Sequence, residues 1–190
     1  MKDTARRDFI QKMGLFSSLC LSGIRLSHAK THFPENTEGL ILKANEGETW
    51  YIGNERKAEV KIKVSKRAHY TPEIALLTEK IPPGDGIPVH KHLHEEEFIF
   101  IQKGTVEITL GESVNEGAAG DLIYVPRTTW HGFENKGQEE LMILFGYSPA
   151  GVEDYFRVIG TQSIDQELGF TAEDWARTNK KFGVVYKDLK

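Results

Sequence analysis

The chain has 190 residues, 39% of them hydrophobic, and a formal net charge of −4. That length and apolar share suit one moderate domain around a single core, and the acidic balance excludes the basic footprint of a nucleic-acid-binding protein. Cys20 is the one cysteine, which excludes an intrachain disulfide.

Residues 1–29 differ in kind from the rest of the chain. A basic start, an uncharged stretch from Met13 to Ile24, and small residues at Ser27 and Ala29 match the layout of a secretory signal. The stretch is too short and too rich in Ser and Gly for a membrane span. Arg6-Arg7, followed by Phe9 and Ile10, resembles the twin-arginine export signal. It departs from that pattern at Ala5, where Ser or Thr is common, and at Lys12, one position late. The resemblance implies export to the periplasm or beyond. A retained amphipathic helix is the alternative, and bulky Leu19 argues against a lipid anchor at Cys20. Cleavage after Ala29 would remove five basic residues (Lys2, Arg6, Arg7, Lys12, Arg25) and two acidic ones (Asp3, Asp8), leaving a net charge of −7. Such a surface excludes nucleic acid and anionic lipid as partners.

Residues 30–70 read as a polar arm with edge strands: a short pairing run at Leu40 to Leu42, a strand at Thr49 to Ile52 ending in a Gly53-Asn54 turn, and an alternating strand at Val60 to Val64. Glu73 to Lys80 is a strand entering the turn that Pro82-Pro83 imposes. Phe98 to Ile101 and Thr105 to Leu110, joined by Gln102-Lys103-Gly104, read as a hairpin. Residues 111–120 read as loop, Asp121 to Val125 and Trp130 to Glu134 as short strands, and Glu140 to Tyr147 as a central apolar strand. Many short strands at this spacing predict a sandwich or small antiparallel barrel. Beyond residue 148 the period changes. Gly151 to Ile159 predicts a short helix, and Thr171 with Asp174 caps a second that runs to Phe182 and stops at Gly183. Phe156, Leu168, Phe170 and Trp175 read as packing residues.

Within residues 84–104, His90, His92 and His94 alternate with other residues, and Glu95 to Glu97 come directly after them. On an extended strand, residues two apart share a face, so His90 and His92 present two imidazoles together. A carboxylate a few residues on can add a third donor. With no thiolate at hand, the set suits a divalent transition ion: iron, manganese, nickel, copper or zinc.

Gly84, His90, His92, Glu97 and Gly104 stand at the spacing of the first motif of the cupin superfamily, and Gly120, Pro126, His131 and Asn135 at that of the second. The chain resembles cupins over about residues 71–148, with Thr128 where glycine is common. The resemblance implies a small antiparallel β-barrel or jelly roll with short C-terminal helices over 149–190, and one metal held by His90, His92, Glu97 and His131. Glu96 is the alternative carboxylate, but alternation favours Glu97, which then faces inward with Ile99 and Ile101. His94 is expected outside the ligand set. Inward positions expected to line the pocket are Ile99, Ile101, Tyr124, Phe133 and Phe145, and no inward Arg/Lys pair points to a phosphorylated substrate. Ser148 to Gly151 and the helix after it also look like single-domain quercetin dioxygenase-type cupins. That resemblance implies an oxidoreductase acting on a small enol or phenol, with Glu97 doubling as catalytic base. A metal-dependent binding module without turnover, and a sugar or keto-acid isomerase or lyase, stay open. Cupins often exchange edge strands, so the arm implies a homodimer as a further expectation.

Overall fold

The computed structural model describes residues 39–52, 58–69 and 73–187. The expected signal segment, residues 1–29, and the expected Gly53-Asn54 turn lie outside the described residues. Among those described, twelve strands form two antiparallel sheets. The larger holds β1 (Glu48–Ile52), β2 (Ala58–Val64), β3 (Ala75–Ile81), β5 (Glu96–Lys103), β8 (Leu122–Val125), β10 (Leu141–Ser148) and β11 (Gly160–Thr161), in the order β11-β1-β2-β3-β10-β5-β8. The smaller holds β4 (Gly86–His92), β6 (Thr105–Leu110), β7 (Ser113–Ala118), β9 (His131–Glu134) and β12 (Val184–Tyr186), in the order β12-β4-β9-β6-β7. Three helices among the described residues join them: α1 (Lys66–His69), α2 (Glu153–Ile159) and α3 (Ala172–Phe182).

Period-2 patterning builds the core. In β3, Ala75, Leu77, Glu79 and Ile81 are buried while the residues between them are partly exposed. β10, expected to be central, lies between β3 and β5 and is buried along most of its length. Inward side chains of both sheets, among them Leu77, Ile99 and Ile143 from one and Val106, Ile108 and Phe133 from the other, form one hydrophobic core. The jelly-roll expectation holds.

Three local expectations do not. β5 and β6 are not a hairpin: β5 pairs with β10 and β8, whereas β6 pairs with β7 and β9 in the other sheet. Their connection carries the chain between sheets at Gly104, whose φ of 90° suits glycine. Residues 113–118 are a strand rather than loop. β7 is an edge strand with Gly117 its one buried residue, so its sequence carries no apolar alternation to read. Leu40 to Leu42 forms no strand; Leu40 and Leu42 instead line a shallow groove over β2, β3 and β10.

The C-terminal helices obey their capping signals. The Thr171 side chain accepts from the Asp174 N–H, and the Asp174 carboxylate accepts from the Thr171 N–H. Gly183 ends α3 in the left-handed conformation, φ 67°. The chain then enters β12, which pairs with β4 in the register Tyr186↔His90.

Candidate metal centre

His90 and His92 lie on the inward face of β4 and are 6% and 5% exposed. β9 pairs with β4 and sets His131 directly opposite His90, fully buried. Glu97, on β5, reaches the same point from the larger sheet. Between His92 and Glu96 the chain crosses from the smaller sheet to the larger. One ligand atom from each of the four residues lies within 4.8 Å of all the others.

The tautomers are set by the second ring nitrogens. His90 Nδ1 is 2.8 Å from the Pro88 carbonyl and His131 Nδ1 is 3.0 Å from the Thr129 carbonyl. A carbonyl only accepts, so each Nδ1 carries the hydrogen and each Nε2 presents a lone pair. His90 Nε2 is 3.2 Å from His92 Nε2, and His131 Nε2 is 2.8 Å from Glu97 Oε2. The last two atoms are buried and, despite their closeness, not aligned as donor and acceptor. Lone pairs converging in a buried space repel unless a cation or a proton lies between them. Three imidazoles and one carboxylate fit a divalent transition ion and leave coordination positions for a ligand.

The electrostatics agree. Burial, then the neighbouring His131 and His92, push the His90 pKa down from 6.5 to about 3, so its ring stays neutral. Burial alone would raise Glu97, but the His131 and His92 rings beside it outweigh that and hold the carboxyl well below its ordinary value. For His131, burial is outweighed by Glu97, which raises its value.

The ring opens on a cavity of about 70 Å³ between the sheets, closed by residues of α2 and β12. Of the expected lining residues, Ile99, Phe133 and Phe145 are present. Ile101 is buried in the core but does not border the cavity. Tyr124 is 56% exposed, because in its pairing with Phe98 it faces outward from the larger sheet. No Lys or Arg is among the described residues lining the cavity.

Sequence reasoning missed four polar cavity residues: Glu79, Tyr147, Tyr155 and Tyr186. Tyr147 is paired with Glu97 across β10 and β5, and its ring meets the His92 ring edge-on at 5.0 Å. Burial, then the charges of Glu97 and Glu79, hold its phenol well above the ordinary value. The Tyr155 hydroxyl donates to Asn179 Oδ1 at 2.7 Å and lies 3.4 Å from the Tyr186 hydroxyl. The Tyr186 ring lies 5.5 Å from that of His90. Glu79 was the one readable signal, a charged residue at an inward position of an otherwise apolar alternation.

The neighbouring acids separate. Glu96 points toward Arg127, 4.0 Å away, and His94 is exposed. Glu95 is buried, with one oxygen lacking a hydrogen-bond partner, and burial raises its pKa. It is not among the four grouped ligands. Thr128, where the motif commonly has glycine, adopts φ 64° and donates its N–H to the His92 carbonyl at 2.8 Å.

A double-stranded β-helix enclosing three histidines and a glutamate at one point defines the class of protein: a cupin-fold protein with a candidate mononuclear metal centre. Residues 77–147 match the family model described as Cupin domain. The structure of KdgF from Halomonas sp. is similar in fold, with a TM-score of 0.53 and 19% identity over 62% of this chain and 99% of that one. A predicted oxalate decarboxylase from Thermotoga maritima is similar at a TM-score of 0.51 and 25% identity, covering 58% of this chain and 99% of that one. Protein SchB of Streptomyces halstedii is 26% identical over 86 residues, 45% of this chain and 62% of its own length. The chain thus spans less than two thirds of that curated relative.

Proposed function

We propose that this protein is a metal-dependent enzyme of the dioxygenase type that acts on a small enol or phenol. The observation that carries the reading is the convergence of three buried imidazoles and one carboxylate at the wall of an apolar, phenol-lined cavity. A redox-active divalent ion held by His90, His92, Glu97 and His131 would supply polarisation of a substrate oxygen and access to dioxygen chemistry. The chain's own residues do the rest. Glu97 stays ionised at physiological pH and can take a substrate proton at its oxygen, though its depressed pKa makes it a weak base. Tyr147, set opposite Glu97 by the pairing of β10 with β5, packs beside the carboxylate and limits its orientation. Ile99, Phe133 and Phe145 exclude water. The volume of about 70 Å³ has room for a handful of water-sized groups, each needing ~10–15 Å³, which favours small substrates over polycyclic ones.

Purified protein loaded in turn with Fe²⁺, Mn²⁺, Ni²⁺, Co²⁺, Cu²⁺ and Zn²⁺ is expected to consume oxygen with catechols or small enediols in at least one case. A second reading, an isomerase or lyase using the ion only to polarise a carbonyl, is favoured by the phenol and carboxylates around the ring. Product formed equally under nitrogen would select it. Ligand binding without product in either atmosphere would leave a binding module. The same proposal includes export by the twin-arginine route, which delivers the chain folded, and a homodimer.

A further inference from the structure

We infer that the groove between α3 and β12 is the entrance to the metal cavity, and that a small uncharged phenol or enol passes through it when the hydrogen bond between Tyr155 and Asn179 opens. The inference rests on the metal-binding reading above and adds to it the route by which a ligand arrives.

Most of the cavity wall is core. Ile99, Phe133, Ile143 and Phe145 are buried, and their strands are flanked on both sides within their sheets. An opening there would part a sheet. The wall at β12 is thinner. Outside it runs a groove of about 730 Å³, whose lining includes Leu93, Trp175 and Asn179. Pro88, Val184 and Tyr186 border the groove and the cavity alike. One layer of residues therefore separates the outside from the ion site, and the Tyr186 ring in that layer stands 5.5 Å from the ring of His90.

The same layer has few ties. β12 is three residues long and, among the described residues, pairs with β4 alone at the edge of its sheet. Such short edge elements open at lower cost than central strands. The partition is fastened where α2 meets α3: the Tyr155 hydroxyl, on the cavity side, donates to Asn179 Oδ1, on the groove side, at 2.7 Å. The groove suits the proposed ligand. No Asp or Glu is among its described lining residues, and Trp175 offers a ring to an aromatic or enolic face. An entering hydroxyl can take the place of the Tyr155 hydroxyl on Asn179, so opening leaves no buried polar group bare.

The test uses cobalt-loaded full-length protein under nitrogen and follows catechol binding by stopped flow through the visible absorption of Co²⁺. Tyr155→Phe and Asn179→Ala cut one bond from its two ends. Each is expected to raise the association and dissociation rates of catechol at least threefold while the Kd stays within a factor of two, as a latch requires. A second arm leaves the latch intact. With Cys20→Ser as background, Ala176→Cys places a thiol on the exposed groove side of α3 for a bulky maleimide. The label should slow catechol association at least tenfold. The same label on Ser113→Cys, on exposed β7 at the opposite edge of the smaller sheet, should leave it unchanged. An unslowed rate with the groove blocked, or equal slowing by both labels, overturns the inference whether or not the latch variants fold. So do latch variants whose rates match wild type. Failure to take up cobalt overturns the metal reading and this inference with it. Cobalt uptake without catechol binding overturns the inference and leaves the metal site standing. The expected rates without turnover would leave the entrance standing and remove the enzymatic reading alone.

Discussion

At His90 the folded chain resists a proton that the unfolded chain accepts. The ring's pKa is about 3 when folded against 6.5 unfolded, so its contribution to stability is present above pH 6.5 and lost as pH falls toward 3, at up to ~1.4 kcal/mol per pH unit. Glu97, also depressed, loses its contribution below its ordinary value of 4.5. His131, raised, works the other way: its contribution is present below 6.5 and lost as pH rises through its folded value. Below pH 6.5 the His131 contribution no longer changes, so between 6.5 and 4.5 His90 alone erodes stability, and below 4.5 His90 and Glu97 act together. Metal-free protein is therefore expected to lose stability from about pH 6.5 downward and more steeply below about pH 4.5, as read by urea denaturation at pH 7, 5.5 and 4. Glu97→Gln removes the ring's one negative charge and should weaken Co²⁺ or Zn²⁺ binding by about 100-fold or more, measured by competition with a chromophoric chelator. Thr128 is a β-branched residue in the left-handed region, φ 64°. Thr128→Gly relieves that conformation and should stabilise the fold by about 1 kcal/mol in urea denaturation, since the side chain's misfit exceeds the entropy that glycine adds.

Among the elements, α3 and β12 act as one unit. Thr171→Ala removes the helix cap and is expected to cost about 1 kcal/mol. Gly183→Ala should cost more. A methyl there meets the His94 ring at 2.6 Å, and the φ of 67° disfavours a side chain. It also displaces the start of β12, so the fluorescence of Tyr186 should change in Gly183→Ala and not in Thr171→Ala. Several elements were legible in sequence because one face is buried and the alternation shows it: β2, β3, β5 and β10 all read correctly. The strands that did not read have no such face. β7 buries only Gly117, and β12 is three residues long behind a helix stop. The β5–β6 hairpin was misjudged because a tight turn with glycine looks alike whether the strands pair or part between sheets. The ligand ring was legible from spacing and donor chemistry. Tyr147 was not, because an aromatic residue in an apolar strand looks like core until its cross-strand partner proves to be Glu97.

For the whole molecule, spacing gave the sandwich but not which sheet supplies which ligand. The site spans both sheets, three histidines from the smaller and Glu97 from the larger. A bound ion therefore ties the sheets together and stabilises the native state by linkage, about 2.7 kcal/mol at a free concentration 100 times the Kd. Replacing Arg6-Arg7 with Lys-Lys is expected to retain the protein inside the cell, as tracked by fractionation and immunoblotting. Unchanged export would remove the twin-arginine proposal.

The pairing of Tyr186 with His90 has a bearing on how the molecule is made. All four ligands lie between residues 90 and 131, so the ribosome delivers the complete donor set long before the strand that covers His90. Until residues 184–186 emerge, β4 is an open edge, and an ion can approach from the side that the finished fold closes. On the metal-binding proposal, the order of synthesis would let an ion be captured before closure. A ribosome-stalled chain ending before Val184 should take up and release Co²⁺ faster than the full-length protein does.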